Sequence, residues 1–258
     1  MKGFCPLASG SKGNVIFFGT EQTRLLIDAG ISAKVASERL KKIGVPLEDI
    51  EAILITHEHS DHIRGLTSLA IQHQIPVFAN KDTAQAIIET LGKPLPKLKI
   101  FSTGEIFEFG DLEIHPFSVQ HDTLDPVAFT IKSEGMKVGF CTDLGFVTTS
   151  VQNHLQACDY LYIEANHEPS LVHASRRPMT YKQRVLSHQG HLSNQQCVDL
   201  LTQVAHQGLR HIHLAHLSQE CNNPYLALQK VRDRIAHLGY STKVSIAYQN
   251  QVSHQIFF

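Results

Sequence analysis

The sequence predicts an α/β protein in which two mixed β-sheets pack together with helices on their outer faces, as one domain over residues 1–258. Three observations predict it. Strand-like apolar runs alternate with helix-like runs in the first and last thirds, with a series of short strands between. No repeat, low-complexity tract or linker divides the chain; the Pro-rich stretch Gly92–Pro96 is the best loop and is too short to separate domains. A length of 258 residues at 42% hydrophobic content suffices for one large core.

Along the chain, Val15–Phe18 and Arg24–Ile27 read as strands around the turn-rich residues 19–22. Ser32–Lys42 has helical composition and is ended by Gly44 and Pro46. Ile53–Ile55 is a compact apolar strand. Gly65–Gln72 and Thr83–Leu91 follow as helices, with Pro76–Ala79 as a strand between them. The middle strands are Ile106–Phe109, Leu112–His115, Val127–Ile131 and Lys137–Cys141. Tyr160–Ile163, Ile212–Ala215 and Val244–Ala247 then alternate as strands with helices at Asn194–Ala205 and Pro224–Leu238.

Composition narrows the function classes. A formal net charge of −1 with 18% charged residues gives no global pull toward nucleic acid or anionic membrane, although a local basic patch can still bind. The opening MKGFCPLASGSKGN is broken by Pro6, Ser9 and Gly10, so no secretory signal is expected there. No apolar run approaches the roughly 20 residues of a membrane span, so no membrane partner is expected. Five scattered cysteines without a CxxC argue against a disulfide framework and for a cytoplasmic location. Monomer and homodimer both remain open.

Histidine is the outlier, at seventeen residues. His73, His115, His154, His173, His206, His237 and His254 lack metal-type spacing and are expected to be structural or exposed. The run Thr56-His57-Glu58-His59-Ser60-Asp61-His62 is different: three imidazoles and two carboxylates lie within six residues. These are the donors that Zn²⁺ and related ions take where chemistry is done. On an extended backbone His57 and His59 project to one side and can bind one ion, while Asp61 and His62 can turn toward a second.

An HxHxDH run after an apolar strand resembles the signature of the metallo-β-lactamase superfamily, and the resemblance extends along the chain. It implies the αβ/βα sandwich of that fold, with two metals at the sheet edges. Asp28 in Leu26-Ile27-Asp28-Ala29-Gly30 matches the strand-end aspartate that supports the ligand loop. His121, Asp143 and His216 match a third histidine, a bridging carboxylate and a final ligand. The implied set is His57, His59 and His121 on one ion, and Asp61, His62 and His216 on the other, with Asp143 between. His211 and His213 compete with His216 for the last position. Zn²⁺, Mn²⁺ and Fe²⁺ all suit such donors.

Two ions 3.5–4 Å apart can activate a water and polarise the bond it attacks, so the resemblance implies hydrolysis, with Asp61 and His191 as catalytic residues. Gly190-His191-Leu192-Ser193-Asn194 is similar to an element of the nuclease and phosphodiesterase branch, which includes ribonuclease Z and a phosphonate-metabolism phosphodiesterase. There the histidine serves as general acid to a leaving alkoxide. Ser193 also reads as a helix N-cap. The opening Ser9-Gly10-Ser11-Lys12-Gly13-Asn14, with Thr142–Gly145, Glu164–His167, His216–Ser218 and Asn222-Asn223, resembles the YycJ/WalJ-type branch and implies a nuclease, specifically a DNA 5′-exonuclease. Ser11, Asn14, Glu164, His167 and Asn194 are candidates to orient ligands or substrate. Arg177 and Lys182, in the cationic run 176–184 with Tyr181, could hold phosphates, or that run could be a solvated helix face. The expected substrate is a phosphodiester, nucleic acid foremost. The competing readings are a thioester or lactam hydrolase on the same scaffold and a non-catalytic metal-binding protein.

Overall fold

The computed structural model describes residues 1–258. Fourteen strands form two seven-stranded sheets. The first contains β1 (Gly3–Ala8), β2 (Val15–Gly19), β3 (Arg24–Ile27), β4 (Ala52–Leu54), β5 (Val77–Asn80), β6 (Leu98–Phe101) and β14 (Ile256–Phe257), in the order β14-β1-β2-β3-β4-β5-β6. The second contains β7 (Phe107–Phe109), β8 (Leu112–Ser118), β9 (Val127–Ser133), β10 (Met136–Cys141), β11 (Tyr160–Glu164), β12 (His211–Ala215) and β13 (Lys243–Ile246), in the order β13-β12-β11-β10-β9-β8-β7.

Both sheets are mixed. In the first, β14, β1, β2 and β3 pair antiparallel, and β3, β4, β5 and β6 pair parallel. In the second, β9 and β10 pair antiparallel, and β10 to β13 pair parallel. Parallel neighbours need crossovers, which the helices supply. They are α1 (Ala33–Lys42), α2 (Ser60–Ile63), α3 (Lys81–Leu91), α4 (Thr149–Leu155), α5 (Pro169–Ala174), α6 (Met179–Leu186), α7 (Asn194–Val204) and α8 (Pro224–His237). No helix is long and apolar enough to cross a membrane.

The chain forms two compact units, one of Met1–Pro116, Thr123–Val127 and Tyr248–Phe258, the other of Phe117–Asp122 and Ala128–Ala247. Each has its own apolar core. In the first, α1 buries Ala33, Ala36 and Leu40, three and four residues apart, in a cluster with Leu26, Ile53 and Val77 of the sheet. In the second, α7 buries Cys197, Leu200, Leu201 and Val204 in a cluster with Ile163, Ile212 and Leu214. Ser193 caps α7 with a reciprocal box to Gln196, as its position before a helical run predicts.

The structure departs from the sequence expectation at a few elements. The expected helix Gly65–Gln72 is a π-helical stretch over Thr67–Gln72, with the separate single turn α2 before it at Ser60–Ile63. Gly65 is drawn onto the preceding loop: its N–H donates to the Ala29 carbonyl at 2.6 Å, and a Cβ there would overlap the Ile31 carbonyl. The opening strand β1 is disguised in the sequence by Pro6, which the sheet tolerates at a register shift between Pro6 and Ala8. Edge strand β6 is hidden because Lys99 and Ile100 face solvent.

All five cysteines are buried free thiols. Burial pushes Cys5 and Cys158 up to about 12 and raises Cys141 and Cys197 as well. Since the thiolate is the reactive form, the native protein should react with Ellman's reagent far more slowly than the unfolded chain, which should yield five equivalents. Rapid labelling of any of those four thiols in the folded protein would contradict this packing.

Candidate metal centre

Asp28, the 57–62 run, Asp143, Glu164 and His216 stand at or just beyond the C-terminal ends of parallel strands, where open α/β sheets present their functional groups. In the first unit Asp28 immediately follows β3 and adopts a left-handed φ of 61°, a conformation uncommon outside glycine. That turn aims its carboxylate at the loop after β4. Asp28 Oδ1 accepts from the Thr56 amide at 2.9 Å and from the Thr56 hydroxyl at 3.0 Å, while Oδ2 accepts from His62 Nδ1 at 2.8 Å. Thr56 Oγ1 lies 2.9 Å from His57 Nδ1. The carboxylate can only accept, so its contacts place a proton on Nδ1 of His62. Through the donating Thr56 hydroxyl they place another on Nδ1 of His57. The Nε2 lone pair of each ring is thereby directed away from the support. Asn14 Nδ2, 3.0 Å from His62 Nε2 and 3.2 Å from Asp61 Oδ2, meets that lone pair as a donor. The His57 ring lies 4.9 Å from that of His59 and 4.0 Å from that of His62.

Backbone contacts lock these loops. Asn14 N donates to the Asp61 carbonyl at 2.8 Å, Ala29 N to that of His62 at 2.7 Å, and Gly30 N to that of Asn14 at 2.9 Å. A Cβ on Gly30 would overlap the Asp61 carbonyl, so only glycine lets the loop after β3 approach α2 this closely.

The second unit carries its own group. Asp143, after β10, and His216, after β12, are again left-handed, with φ of 59° and 54°. Asp143, Glu164, His191 and His216 each offer one donor atom within 4.8 Å of the others. Glu164, the last residue of β11, is 0% exposed and accepts four hydrogen bonds. Oε1 takes His191 Nδ1 at 2.8 Å and His216 Nδ1 at 3.0 Å; Oε2 takes the amides of Leu144 at 3.1 Å and Leu192 at 3.2 Å. Burial alone would raise this carboxyl, but the charge of His191 and the bonds from His191 and His216 outweigh it and hold it well below the usual carboxylate range. His216 Nδ1 also lies 3.1 Å from Asp143 Oδ1. His121 Nδ1 faces the Gly190 carbonyl at 3.1 Å. As in the first unit, Nδ1 is the engaged nitrogen of His191 and His216.

In each unit, histidines with Nδ1 engaged and carboxylates close by make a donor set that fits a divalent ion chemically. His211 and His213 instead share Ser245, at 2.7 and 2.9 Å, which separates them from the Glu164 group.

The remaining candidates lie apart from this group or act as supports. Arg177 pairs with Glu220 at 2.6 Å and lies over Tyr181, and Lys182 donates to the His173 carbonyl at 2.7 Å. Lys182 lies in the largely exposed helix α6 and Arg177 just before it, the placement that the solvated-face reading of the cationic run expects. Asn194 is wholly buried and bonds Glu168 and Asn222, a scaffold role. Ser11 is exposed. Burial pulls the His167 ring down to about 4, so it is neutral at pH 7. Cys221 packs with Val172 and Val185. Sequence reasoning passed over Thr56, the relay to His57, and Asn166, whose amide donates to the His216 carbonyl at 2.7 Å. Both lie inside runs quoted for their neighbours, but nothing local marks them.

Comparison with known proteins adds an independent line. The family described as "Beta-lactamase superfamily domain" matches residues 23–214. Exodeoxyribonuclease YycJ of Bacillus anthracis is 35% identical over 238 residues, 92% of this chain and 90% of that protein. Exodeoxyribonuclease WalJ of Streptococcus pneumoniae is 36% identical over 233 residues, 89% and 87% of the two. The crystal structure of the metallo-beta-lactamase fold protein YhfI from Bacillus subtilis matches with a TM-score of 0.69 over 98% of this chain and 99% of that one, at 19% identity.

Proposed function

Because this chain belongs to the beta-lactamase superfamily and has the metallo-β-lactamase fold, we propose that it is a two-metal phosphodiesterase acting on nucleic acid, specifically a DNA 5′-exonuclease. The observation that carries this reading is Glu164, whose single oxygen Oε1 accepts from His191 and His216. One buried carboxylate thus orients a ligand histidine and an acid histidine together.

In this proposal His57, His59 and His121 would hold one divalent ion, Asp61, His62 and His216 would hold the other, and Asp143 would serve both. Zn²⁺ or Mn²⁺ are the first candidates, with Fe²⁺ compatible. Such a pair supplies a nucleophilic water at neutral pH and neutralises charge on the phosphodiester. The chain's own residues do the rest. Asp28, through Thr56 and directly, keeps His57 and His62 in the ligating tautomer. Glu164 holds the Nδ1–H of His191, so that in the imidazolium form the Nε2–H is the proton given to the leaving alkoxide. Asp61, held by Asn14, stands beside His62, 3.6 Å from its Nε2, to orient the attacking water. The whole chain acts as one catalytic domain in a reducing cytoplasm, in keeping with its five free thiols.

A thioester or lactam hydrolase is disfavoured because its leaving group has less need of a positioned acid such as His191. The test is cleavage of 5′-labelled single- and double-stranded DNA and RNA by Zn²⁺- or Mn²⁺-loaded protein, with His59→Ala as control. A product ladder from the DNA 5′ end, lost in the variant, is expected. Absence of cleavage with either metal would overturn the nuclease reading.

A further inference from the structure

Phe146 is 44% exposed although it belongs to the large aromatic class that usually seeks cover. It lies three residues after Asp143, and its ring is 5.0 Å from that of exposed His188, three residues before His191. The two loops are fixed to each other, since a Cβ at Gly145 would overlap the Gly190 nitrogen and the Ser187 carbonyl. The His121 loop joins them through a 2.9 Å bond from Gly145 N to the Gln120 carbonyl. Phe146 also forms one wall of a groove of about 250 Å³ between α4 and α7, with Val147, Gln152, Asp199, Leu200 and Gln203.

That volume is smaller than the roughly 300–1,000 Å³ of sites for drug-sized ligands and suits a single ring system. The lining is specific in kind. Phe146, Val147 and Leu200 offer apolar faces, and the amides of Gln152 and Gln203 can donate and accept along a heterocycle edge. The one charge is Asp199, which would repel a phosphate but can accept from an exocyclic amine. A neutral flat base fits; a phosphate does not.

We propose that this groove holds one unpaired nucleobase of the substrate strand, stacked on Phe146 beside His188. The inference rests on the nuclease reading and deepens it: the enzyme would grip a single-stranded segment by an aromatic stack, a contact tolerant of sequence because every base has a π-face.

The test uses full-length, metal-loaded protein and single-stranded DNA carrying 2-aminopurine at successive positions, with fluorescence quenching and cleavage read in parallel. One position should be quenched by the wild type and by Phe146→Trp, and not by Phe146→Ala. In the alanine variant KM should rise about 5- to 100-fold, with kcat within about threefold. An abasic residue at that position should abolish the difference between wild type and variant. Phe146→Ala cleaving and quenching like wild type would overturn the inference while leaving the nuclease reading intact, as would an equal loss on the abasic strand. Phe146-dependent quenching without any cleavage would uphold the base site and sink the nuclease reading instead.

Discussion

Replacing His191 with alanine should slow cleavage of DNA by about 10²–10⁴-fold while bound metal stays nearly constant. The expectation follows from how the ring is held. Its Nδ1 is committed to Glu164 at 2.8 Å, and the 3.7 Å separation from Asp143 Oδ1 is beyond hydrogen-bonding range. The ring is therefore anchored at one nitrogen, and its other nitrogen is available for proton transfer. An acid matters most when the leaving group is poor, so a nitrophenyl phosphodiester should suffer much less than DNA from the same substitution. Single-turnover rates on both substrates, with metal content measured by atomic emission, separate the possibilities. An unchanged rate on DNA would remove His191 from the mechanism, and metal lost in proportion to activity would make it a ligand.

A larger and broader loss is expected from Glu164→Gln. The native carboxylate meets four donors, so the amide nitrogen of glutamine must face two of them wherever it points. Breaking such a buried charged network typically costs about 3–5 kcal/mol. Metal affinity should fall about 10–100-fold as His216 loses its orienting partner. Activity should fall below that of His191→Ala, since ligand and acid are disturbed together. Urea unfolding of metal-free and metal-loaded protein, with a metal titration, reads each effect. Native stability with unchanged affinity would show that Glu164 is not the organising group. Acid tests the same point: a carboxyl held below its ordinary value of 4.5 stabilises the fold fully above that pH and loses its contribution as pH falls further. The mutant should therefore lose less stability than wild type on acidification below pH 4.5.

The sequence by itself determined the chemistry and much of the layout. Period and punctuation mark out most strands and the longer helices, because those signals are local: α1 ends near Gly44, and α7 begins at its Ser193 cap. The HxHxDH run after an apolar strand identifies a metal loop because its density of donors has little other physical use. Motif resemblance then ties in Asp28, His121, Asp143 and His216 as candidates, and the family it points to is the one that matches the chain.

What the tertiary structure alone decided is which side chain supports which. Thr56 and Asn166 look ordinary in the sequence, and Glu164 is only a candidate there with no partner assigned. Their importance comes from partners 20 to 52 positions away in the case of Glu164, brought together in part by the parallel register of β11 with β12, where Glu164 aligns with Ala215 just before His216. The same holds for the cations at 177 and 182, which local composition left open as phosphate ligands or a solvated helix face; the fold sets Arg177 against Glu220 and Lys182 against the His173 carbonyl. Local sequence sets turns and periodicity through sterics within a few residues. Hydrogen-bond partners across strand ends depend on register, and register is settled only when the whole sheet closes on its core.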